Sequence, residues 1–521
     1  MALISLCMIV KNEENNLKRC LKSIAHLVDE IIIVDTGSED DTKKVALQYT
    51  KNVFEFEWEK DFSSARNYAA SFAKSKWILV MDGDEYIDEN NFKIFKNQLF
   101  NSRSDILIPK IINFLGSSGE SIAQNYHERI YLNNSEIKYD RPIHEHLVSK
   151  TSTELIRDHC ELIIYHSGYL DQQRSLKSKS TRNLYILDSI KEKLPIDYYY
   201  LGNELVSINK LELAIDNYII AYKKEHNKSL NWILDLLVRL IGCQIEVNRI
   251  DDARNIINSC LIVYPNIGEF LYFDAYIYYI TKNTKLSIEK FEELYEKREV
   301  IETIYSEDYT KIQPLKLLAR SYRENKQINE SVNVISKAIA YNRLDLESWK
   351  FLIETLALEI SEDELYHFIE NKIFSDDMFS ELQKITIIGS ILEPKVNKIL
   401  KQKIHSEKKD LPLILIQSIQ LKSLMIEKNI TDLIYVINEI DDAIIKRILK
   451  IGIFDYIDLL VIYSIEKNKT TLKSLKRLIS QIETSQKLIF LKDFVLKNKS
   501  KNITKCFEEY STYIDKKLYF L

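Results

Sequence analysis

Short apolar runs alternate with amphipathic segments at the start of the chain. Each run of four to eight mostly apolar residues predicts a buried strand, and apolar residues at helical spacing between the runs predict helices. The predicted strands are Leu3–Val10, Glu30–Val34, Val53–Trp58 and Trp77–Met81, and the predicted helices are Asn15–His26, Asp40–Tyr49 and Ser63–Lys74. Strands that alternate with single helices indicate an α/β domain with a parallel, Rossmann-like sheet and helices on its faces.

From about Pro195 the pattern changes to continuous helix. Small residues recur there in pairs, eleven or twelve residues apart, with a polar turn inside each pair. The pairs are Gly202 and Ala214, Gly242 and Ala253, Ala275 and Ser287, and Ala319 and Ser331, and the turns are Asn209-Lys210, Asn248-Arg249, Lys282-Asn283 and Asn325-Lys326. Small residues let two crossing helices approach closely, so the pattern predicts helical hairpins stacked as in a tetratricopeptide-type solenoid.

These changes of pattern divide the chain into three predicted parts. Residues 1–172 form the α/β domain, residues 173–344 form the helical repeats, and residues 345–521 form a further helical region. The last region keeps helical periodicity but cannot be aligned with the repeat. We expect it to be either more of the helical array or a small cap.

Composition narrows the class of protein. A chain of 521 residues is long enough for two or three domains. The net charge of −5 gives no electrostatic reason to expect nucleic acid or an anionic membrane as a partner. The six cysteines form no CxxC pair, which favours reduced thiols in a cytoplasmic protein. No apolar stretch reaches membrane-spanning length, and Lys11 follows the first apolar run at once, so a buried strand is expected there rather than a signal peptide.

Polar residues follow three of the predicted strands. Asn12 and Asp35 come after the first two, and the turn Asp82-Gly83-Asp84 comes directly after Trp77–Met81. The carboxyl ends of parallel strands meet at one edge of the sheet, where α/β folds bind ligands. Two carboxylates this close need a counter-charge, and a divalent cation carrying a diphosphate would supply it. An acidic surface turn is the alternative for this motif alone.

Four ordered segments of this region match the motifs of a known family. They are Met8-Ile-Val-Lys-Asn-Glu-Glu14, Ile31-Ile-Ile-Val-Asp-Thr-Gly-Ser38 with Asp40-Asp41-Thr42, Asp61-Phe-Ser-Ser-Ala-Arg-Asn67, and the Asp82-Gly83-Asp84 turn. Together they resemble the family 2 glycosyltransferases, inverting enzymes of the GT-A fold. The chain is similar in particular to the cytosolic subgroup that joins this domain to tetratricopeptide-like helices, which includes the sublancin-type peptide S-glycosyltransferases. The resemblance implies an α/β GT-A (Rossmann-like) catalytic domain followed by an all-α tetratricopeptide-like helical solenoid.

The resemblance assigns donor-side roles within these segments. Val10, Asn12 and Glu13 would line the nucleotide pocket. Asp35 would accept a hydrogen bond from the uracil N–H, for which an ionised carboxylate is a strong acceptor. Arg66 would approach the diphosphate, because a guanidinium matches phosphate geometry.

The acidic turn would hold the metal. Asp84 would be the direct ligand of a divalent cation, Mn²⁺ or Mg²⁺, and Asp82 would contact the ribose or reach the cation through water. Gly83 would avoid crowding the ligand. His166 would add a metal or diphosphate contact as a neutral imidazole, with a satisfied histidine at a domain junction as the alternative. The cation would bridge the two phosphates and neutralise the departing UDP.

A second set of segments, rich in histidine, follows the acidic turn. It comprises His127-Glu128-Arg129, Tyr139-Asp-Arg-Pro-Ile-His-Glu-His146 and Tyr165-His-Ser-Gly-Tyr169, and similar segments occur in the peptide-modifying subgroup. An inverting transfer needs a base on the acceptor side, and Glu145 is the candidate. An ion pair of Glu145 with Arg141 or Arg129 is the alternative. His144 and His146 flank Glu145 and are candidates for shaping acceptor binding.

The activity that the resemblance implies is sugar transfer to a polypeptide. The expected enzyme is a metal-dependent inverting glycosyltransferase that moves a sugar from a UDP-sugar to a Cys, Ser or Thr side chain. Residues 173–344 would hold the acceptor, and residues 345–521 would bind the acceptor or form a homodimer, since solenoid surfaces often pair. Two alternatives stay open: a saccharide or lipid-linked acceptor in cell-surface polysaccharide assembly, and a non-enzymatic scaffold. The donated sugar and the acceptor atom also stay open.

Overall fold

The computed structural model describes residues 2–115, 121–166, 173–305, 307–406 and 411–465, together with positions 472, 475, 476 and 479. The chain forms two compact units, Met1–Ile208 and Asn209–Leu521. The Ser167–Tyr169 part of the histidine-rich segments lies outside the described residues, as does most of the chain after residue 465. The predicted boundaries at residues 172 and 344 stay predictions.

Four parallel strands form one half of the sheet in the first unit. They are β1 (Ile4–Val10), β2 (Glu30–Asp35), β3 (Val53–Glu55) and β4 (Trp77–Val80), in the order β3-β2-β1-β4. The helices between them are α1 (Glu14–Ile24), α2 (Thr42–Ala46) and α3 (Phe62–Ala70). The side chains of β1 are almost all buried, because helices cover both faces of this half of the sheet. The predicted α/β class is confirmed.

Two of the predicted elements, one helix and one strand, are shorter than their patterns indicated. Helix α2 begins at Thr42 rather than Asp40, because the Asp40 carboxylate accepts the Thr42 backbone N–H. Strand β3 ends at Glu55, level with Asp35 at the end of β2, since no ladder partner continues beyond it. Local hydrogen bonding thus makes these elements shorter than the apolar pattern of the sequence predicts.

The other half of the sheet is mostly antiparallel. Its strands are β5 (Glu85–Ile87), β6 (Ile106–Leu115), β7 (Ser121–Tyr126), β8 (Ile130–Leu132) and β11 (Arg157–His166), and a separate hairpin contains β9 (Ile137–Asp140) and β10 (His146–Ser149). Strand β8 pairs with β4, and β6, β11 and β5 follow in that order. Helix α4 (Glu89–Asn101) precedes β6, and α5 (Gln173–Ser189) and α6 (Pro195–Ser207) complete the unit.

The described part of the second unit is helical apart from turns and one isolated bridge. Its α-helices are α7 (Leu211–Lys224), α8 (Asn231–Glu246), α9 (Ile250–Val263), α10 (Gly268–Ile280), α11 (Thr284–Lys297), α12 (Ile312–Glu324), α13 (Ile328–Tyr341), α14 (Leu346–Glu359), α15 (Glu362–Ile369), α16 (Glu381–Gly389), α17 (Pro394–Ser406), α18 (Leu413–Ile426), α19 (Ile430–Glu439), α20 (Asp442–Ile451) and α21 (Tyr456–Ile465). Among the described residues, no helix is both long and apolar enough to cross a membrane.

Three of the four predicted helical hairpins are present within the second unit. Helices α8 and α9, α10 and α11, and α12 and α13 pack as antiparallel neighbours along the chain. The small residues lie buried where these helices cross, and the Ser331 hydroxyl donates to the Ala319 carbonyl over 2.7 Å. Such a hydrogen bond between helices needs the close approach that small residues allow.

The polar turns share one backbone conformation. Positive φ angles of 58° to 65° occur at Asn209, Asn248, Lys282 and Lys326, and again at Lys428 between α18 and α19. At four of these five positions, the backbone N–H of the residue that follows the positive-φ residue donates to the carbonyl five residues before it, over 2.8 to 2.9 Å. This is a Schellman-type helix end. The structure therefore extends the repeated hairpin beyond the part that the sequence pattern identified.

The hairpin at Lys428 escaped the sequence pattern because its crossing residues are large. The small residues of a typical pair lie seven positions before and five after the positive-φ residue, as Ala275 and Ser287 do around Lys282. The equivalent positions around Lys428 are Leu421 and Leu433, both buried.

Enlarging Ser331 should destabilise the α12–α13 hairpin. Ser331→Leu should lower the free energy of unfolding by about 2 kcal/mol, because the larger side chain forces the two helices apart. Ser331→Ala, the matched control, should cost only about 1 kcal/mol for the lost hydrogen bond. Denaturant unfolding followed by far-ultraviolet circular dichroism measures both. Equal costs for the two variants would contradict the close helix crossing.

Candidate active site

The first donor-side group is the carboxylate of Asp35, at the end of β2. The Asp35 side chain is 1% exposed, and its Oδ1 accepts the backbone N–H groups of Gly37 and Ser38 over 2.9 and 2.8 Å. Gly37 has a φ of +99°, which a residue with a Cβ rarely adopts. Asp35 Oδ2 is buried and has no hydrogen-bond partner among the described residues. A buried acceptor in this state is able to take an N–H donor from a ligand.

Asn12 and Val10 tie the ends of β1 and β2 together. The Asn12 backbone N–H donates to Ser38 Oγ over 2.9 Å, and Asn12 Oδ1 accepts the Glu39 N–H over 2.8 Å. The Val10 carbonyl accepts from the backbone N–H and hydroxyl of Thr36 over 3.0 and 3.1 Å. Both residues thus shape the loop that carries Asp35, and their predicted contact with a nucleotide stays a prediction.

Glu13 links that loop to the acidic turn. Its backbone N–H donates to Thr42 Oγ1 over 2.7 Å, and its carboxylate accepts from Asn16 over 3.0 Å. A Cβ on Gly83 would lie 3.0 Å from Glu13 Cγ. Glycine at this position therefore leaves room for the Glu13 side chain. Burial, together with the negative charges of Asp84 and Asp82, raises the pKa of Glu13.

Asp82 lies between two arginines. Arg66 Nη2 donates to Asp82 Oδ1 over 3.0 Å, and Arg129 Nη2 donates to Asp82 Oδ2 over 2.8 Å. Burial alone would raise the pKa of Asp82, but the two guanidinium groups outweigh it and hold this pKa well below its usual range. Arg129 also donates to Glu85 Oε1 over 2.9 Å, and Glu85 is 2% exposed. Burial raises the pKa of Glu85 to about 7.

Glu145 joins the same network from the β9–β10 hairpin. Arg66 Nε donates to Glu145 Oε1 over 2.6 Å. The alternative of an ion pair with Arg141 or Arg129 is wrong, because Arg141 pairs with Asp197 and Arg129 with Asp82 and Glu85. Arg66 therefore bridges the acidic turn and the predicted base. Within the part of the chain that the structure describes, its buried Nη1 has no hydrogen-bond partner.

Asp84 and His166 lie side by side. The antiparallel pairing of β11 with β5 sets His166 opposite Glu85, the residue after Asp84. His166 Nε2 is 3.2 Å from Asp84 Oδ2, and His166 Nδ1 is 2.8 Å from Asn113 Oδ1. Burial alone would lower the pKa of His166, but the hydrogen bond to Asp84 and the charges of Asp84, Glu85 and Asp82 outweigh it and raise this pKa.

The Asp84–His166 pair fits a cation whose other ligands come from the substrate. Among the described residues, no group of three or more His, Cys, Asp or Glu side chains is arranged to hold a metal ion. Mg²⁺ is typically bound through one or two carboxylates together with substrate phosphates. One carboxylate and one imidazole, with the far ring nitrogen fixed by Asn113, suit such a site.

The two histidines beside Glu145 have different surroundings. His144 has a φ of 53°, and its ring stacks on Tyr200 of α6 with 3.6 Å between ring centroids. His146 begins β10, where it pairs with Asp140, and its side chain is exposed. Their predicted acceptor-side roles stay predictions.

Glu128 and Glu85 are site residues for which no role was predicted, and Arg129 was predicted only as an alternative partner of Glu145. Glu128 Oε2 accepts the Leu147 backbone N–H over 2.7 Å and so fixes β10 close to Glu145. Arg129, its neighbour, holds the acidic turn. The sequence does contain a signal for Glu128 and Arg129. The two residues directly precede a strand, where both charges need partners.

The cysteines near the site do not provide a nucleophile. Cys7 and Cys20 are buried, and burial raises the pKa of both thiols well above the usual value. Both stay protonated at neutral pH, and a thiol in this form is a poor nucleophile.

The sheet order and the acidic turn that follows its fourth strand define the class of the first unit, an α/β glycosyltransferase domain of the GT-A type. Residues 5–160 match the family model described as Glycosyl transferase family 2.

Two relatives and one solved structure are similar to the chain. The glycosyltransferase SunS of the SPbeta prophage of Bacillus subtilis (strain 168) is 28% identical over 297 residues, which are 54% of this chain and 67% of SunS. A TPR repeat-containing protein of Synechococcus elongatus is 36% identical over 225 residues, 41% of this chain and 55% of that protein. Glucosyl-3-phosphoglycerate synthase of Mycobacterium tuberculosis, solved with Mn²⁺ and UDP-glucose, aligns at 21% identity over 22% of this chain and 44% of that chain, with a TM-score of 0.19.

Removing Arg129 should destabilise the first unit by leaving the buried Glu85 carboxylate without its arginine partner. Arg129→Met should lower the free energy of unfolding by about 3 kcal/mol. The double variant Arg129→Met/Glu85→Gln should recover at least half of that loss, because Glu85 then carries no charge. Guanidinium unfolding followed by tryptophan fluorescence measures both. A double variant as unstable as the single one would show that the network does not depend on charge pairing.

Proposed function

We propose that the protein is a metal-dependent inverting glycosyltransferase that moves a sugar from a UDP-sugar to a Cys, Ser or Thr side chain of a peptide or protein. The observation that carries the proposal is the Asp84–His166 pair, which lies beside the Asp82–Arg66–Glu145 bridge. A cation-binding pair and a base held by one arginine are what a single displacement at a sugar carbon requires.

The donor would bind at the ends of β1, β2 and β4. Asp35 Oδ2, buried without a partner, accepts the N–H of the uracil ring. This hydrogen bond favours uracil over bases that lack such a donor, because an unpaired buried carboxylate oxygen is costly. Arg66 Nη1, also buried without a partner, is a donor within the same network and is available to a diphosphate oxygen.

Asp84 and His166 would hold Mn²⁺ or Mg²⁺. When bound, the cation supplies positive charge to the diphosphate as the sugar–phosphate bond breaks. The residues of this chain prepare the site for it: Asn113 fixes the far nitrogen of His166, and Arg129 compensates the charges of Asp82 and Glu85 next to Asp84.

Glu145 would act as the base. The sulfur or oxygen of the acceptor side chain attacks the anomeric carbon, its proton passes to Glu145, and the bond from that carbon to the diphosphate oxygen breaks to release UDP. One displacement of this kind inverts the anomeric centre. Arg66 orients Glu145 through a 2.6 Å hydrogen bond.

The proposal further specifies that the acceptor is a polypeptide. It is supported by the resemblance to peptide-modifying glycosyltransferases and by the helical hairpins of the second unit, since repeat surfaces suit extended chains. The proposal also includes a cytoplasmic location and a homodimer.

The test is an assay of UDP release and sugar transfer. The full chain is incubated with UDP-glucose or UDP-N-acetylglucosamine, with MnCl₂ or EDTA, and with a synthetic peptide that contains one Cys and one Ser. We expect Mn²⁺-dependent UDP release and a mass increase of one sugar on the peptide. No UDP release from either donor with Mn²⁺ would contradict the proposal, and transfer to a free saccharide but to no peptide would contradict its acceptor.

Asp84→Asn should abolish the metal dependence. We expect UDP release with Mn²⁺ to fall by about a hundredfold or more, to the level measured in EDTA, because a neutral amide binds a hard cation weakly. Asp88→Asn is the matched control, since Asp88 caps α4 and asparagine caps equally well. Equal activities of the two variants would refute the assignment of Asp84.

Glu145→Gln should separate donor binding from transfer. The amide oxygen still accepts from Arg66, so the affinity for UDP should stay within about twofold, while kcat for transfer falls by about 10² to 10⁴ as for a lost general base. Glu154→Gln, an exposed change elsewhere in the unit, is the control. If Glu145→Gln transfers sugar at the wild-type rate, another group is the base.

A further inference from the structure

The segment that precedes Glu145 has a strained backbone. Arg141 has a φ of 79° and His144 a φ of 53°, and neither residue is a glycine. Residues with a Cβ adopt this left-handed region at a cost and keep it only where neighbouring groups hold them. Two such residues within four positions, directly before the predicted base, indicate a segment whose conformation is imposed from outside.

Helix α6 makes two side-chain contacts with this segment. Arg141 forms an ion pair with Asp197, whose side chain is buried, and His144 stacks on Tyr200 with an angle of 14° between the rings. Asp197 and Tyr200 are three residues apart, so they lie on the same face of α6. Each of the two strained residues therefore has its own partner on one helix.

Apolar packing joins the same elements between the two polar contacts. Ile143 is buried in one cluster with Ile186 and Leu187 of α5 and with Leu201 of α6. On the other side of the segment, the Pro142 carbonyl accepts the backbone N–H of the first residue of α3 over 2.9 Å. The segment is thus held between α3, which carries Arg66, and the α5–α6 pair.

We propose that Asp197 and Tyr200 are positioning residues for sugar transfer, holding residues 141–144 so that Glu145 meets Arg66. The inference rests on the proposed function, because it assigns to Glu145 the role of the base. It makes α5 and α6 part of the catalytic unit, although both lie in the stretch that the sequence pattern assigned to the helical repeats.

The test uses the full chain with two variants that loosen the contacts. Tyr200→Leu removes the ring stack, and Asp197→Asn removes the charge while keeping an acceptor for the Leu194 N–H at the start of α6. Tyr200→Phe keeps the stack and should behave like the wild type. Tyr185→Leu, an exposed aromatic change on α5, is the matched control.

Two measurements follow for each variant. With UDP-glucose and the Cys- and Ser-containing peptide, we expect Tyr200→Leu and Asp197→Asn to lower kcat about tenfold or more while KM for UDP-glucose stays within about twofold. Amide hydrogen exchange of residues 143–149 should become about tenfold faster in both variants and stay unchanged in Tyr200→Phe and Tyr185→Leu. A purely structural role would lower thermal stability without this split between kcat and KM.

The outcomes separate this inference from the proposed function. A wild-type chain without transfer contradicts the proposed function, and hydrogen exchange then decides by itself whether α6 holds the segment. Unchanged exchange in both loosened variants overturns the inference, whatever their activity. Wild-type kcat in Tyr200→Leu and Asp197→Asn, beside an active wild type, overturns it as well.

Discussion

The candidate site depends on one buried guanidinium. Arg66 donates to Asp82 in the turn after β4 and to Glu145 beside the β9–β10 hairpin, two carboxylates that come from separate parts of the fold. Asn67, the next residue, exchanges two hydrogen bonds with the backbone of Tyr139 in β9, so helix and hairpin are fixed to each other. One buried arginine thus pairs with two carboxylates that the fold brings together. In the proposed enzyme, that side chain would set the distance between the donor side and the acceptor side.

The remaining charged residues of the site also pair positive with negative side chains. Arg129 shares Asp82 with Arg66 and compensates Glu85, while Asp84 is drawn to His166. A carboxylate that is already neutralised by arginine is a poor ligand for a cation, which leaves Asp84 as the acidic group of the turn suited to that role. In the proposed enzyme, the acidic residues of this turn are thus divided between pairing with arginines and holding a metal.

Local pattern predicted the parallel half of the sheet and the polar groups at its edge, because apolar periodicity and strand-end position are properties of neighbouring residues. The partners of Arg129 and Arg141 were not predictable in this way. Arg129 lies 47 residues after Asp82, and Asp197 lies 56 residues after Arg141. Both pairs depend on the insertion of β8 beside β4 and on the docking of α6, which no local pattern encodes. The repeat was visible where small residues mark the helix crossings and was lost at Leu421 and Leu433, where leucines replace them.

Calorimetric titration of UDP into the full chain, with MnCl₂ and with EDTA, tests whether the diphosphate binds through a cation held by Asp84 and His166 while the uracil binds Asp35. We expect UDP to bind at least tenfold more tightly with Mn²⁺ than with EDTA, and more tightly than CDP, whose base lacks the imide N–H. Equal affinities for UDP with Mn²⁺ and with EDTA, or no binding in either, would contradict this expectation.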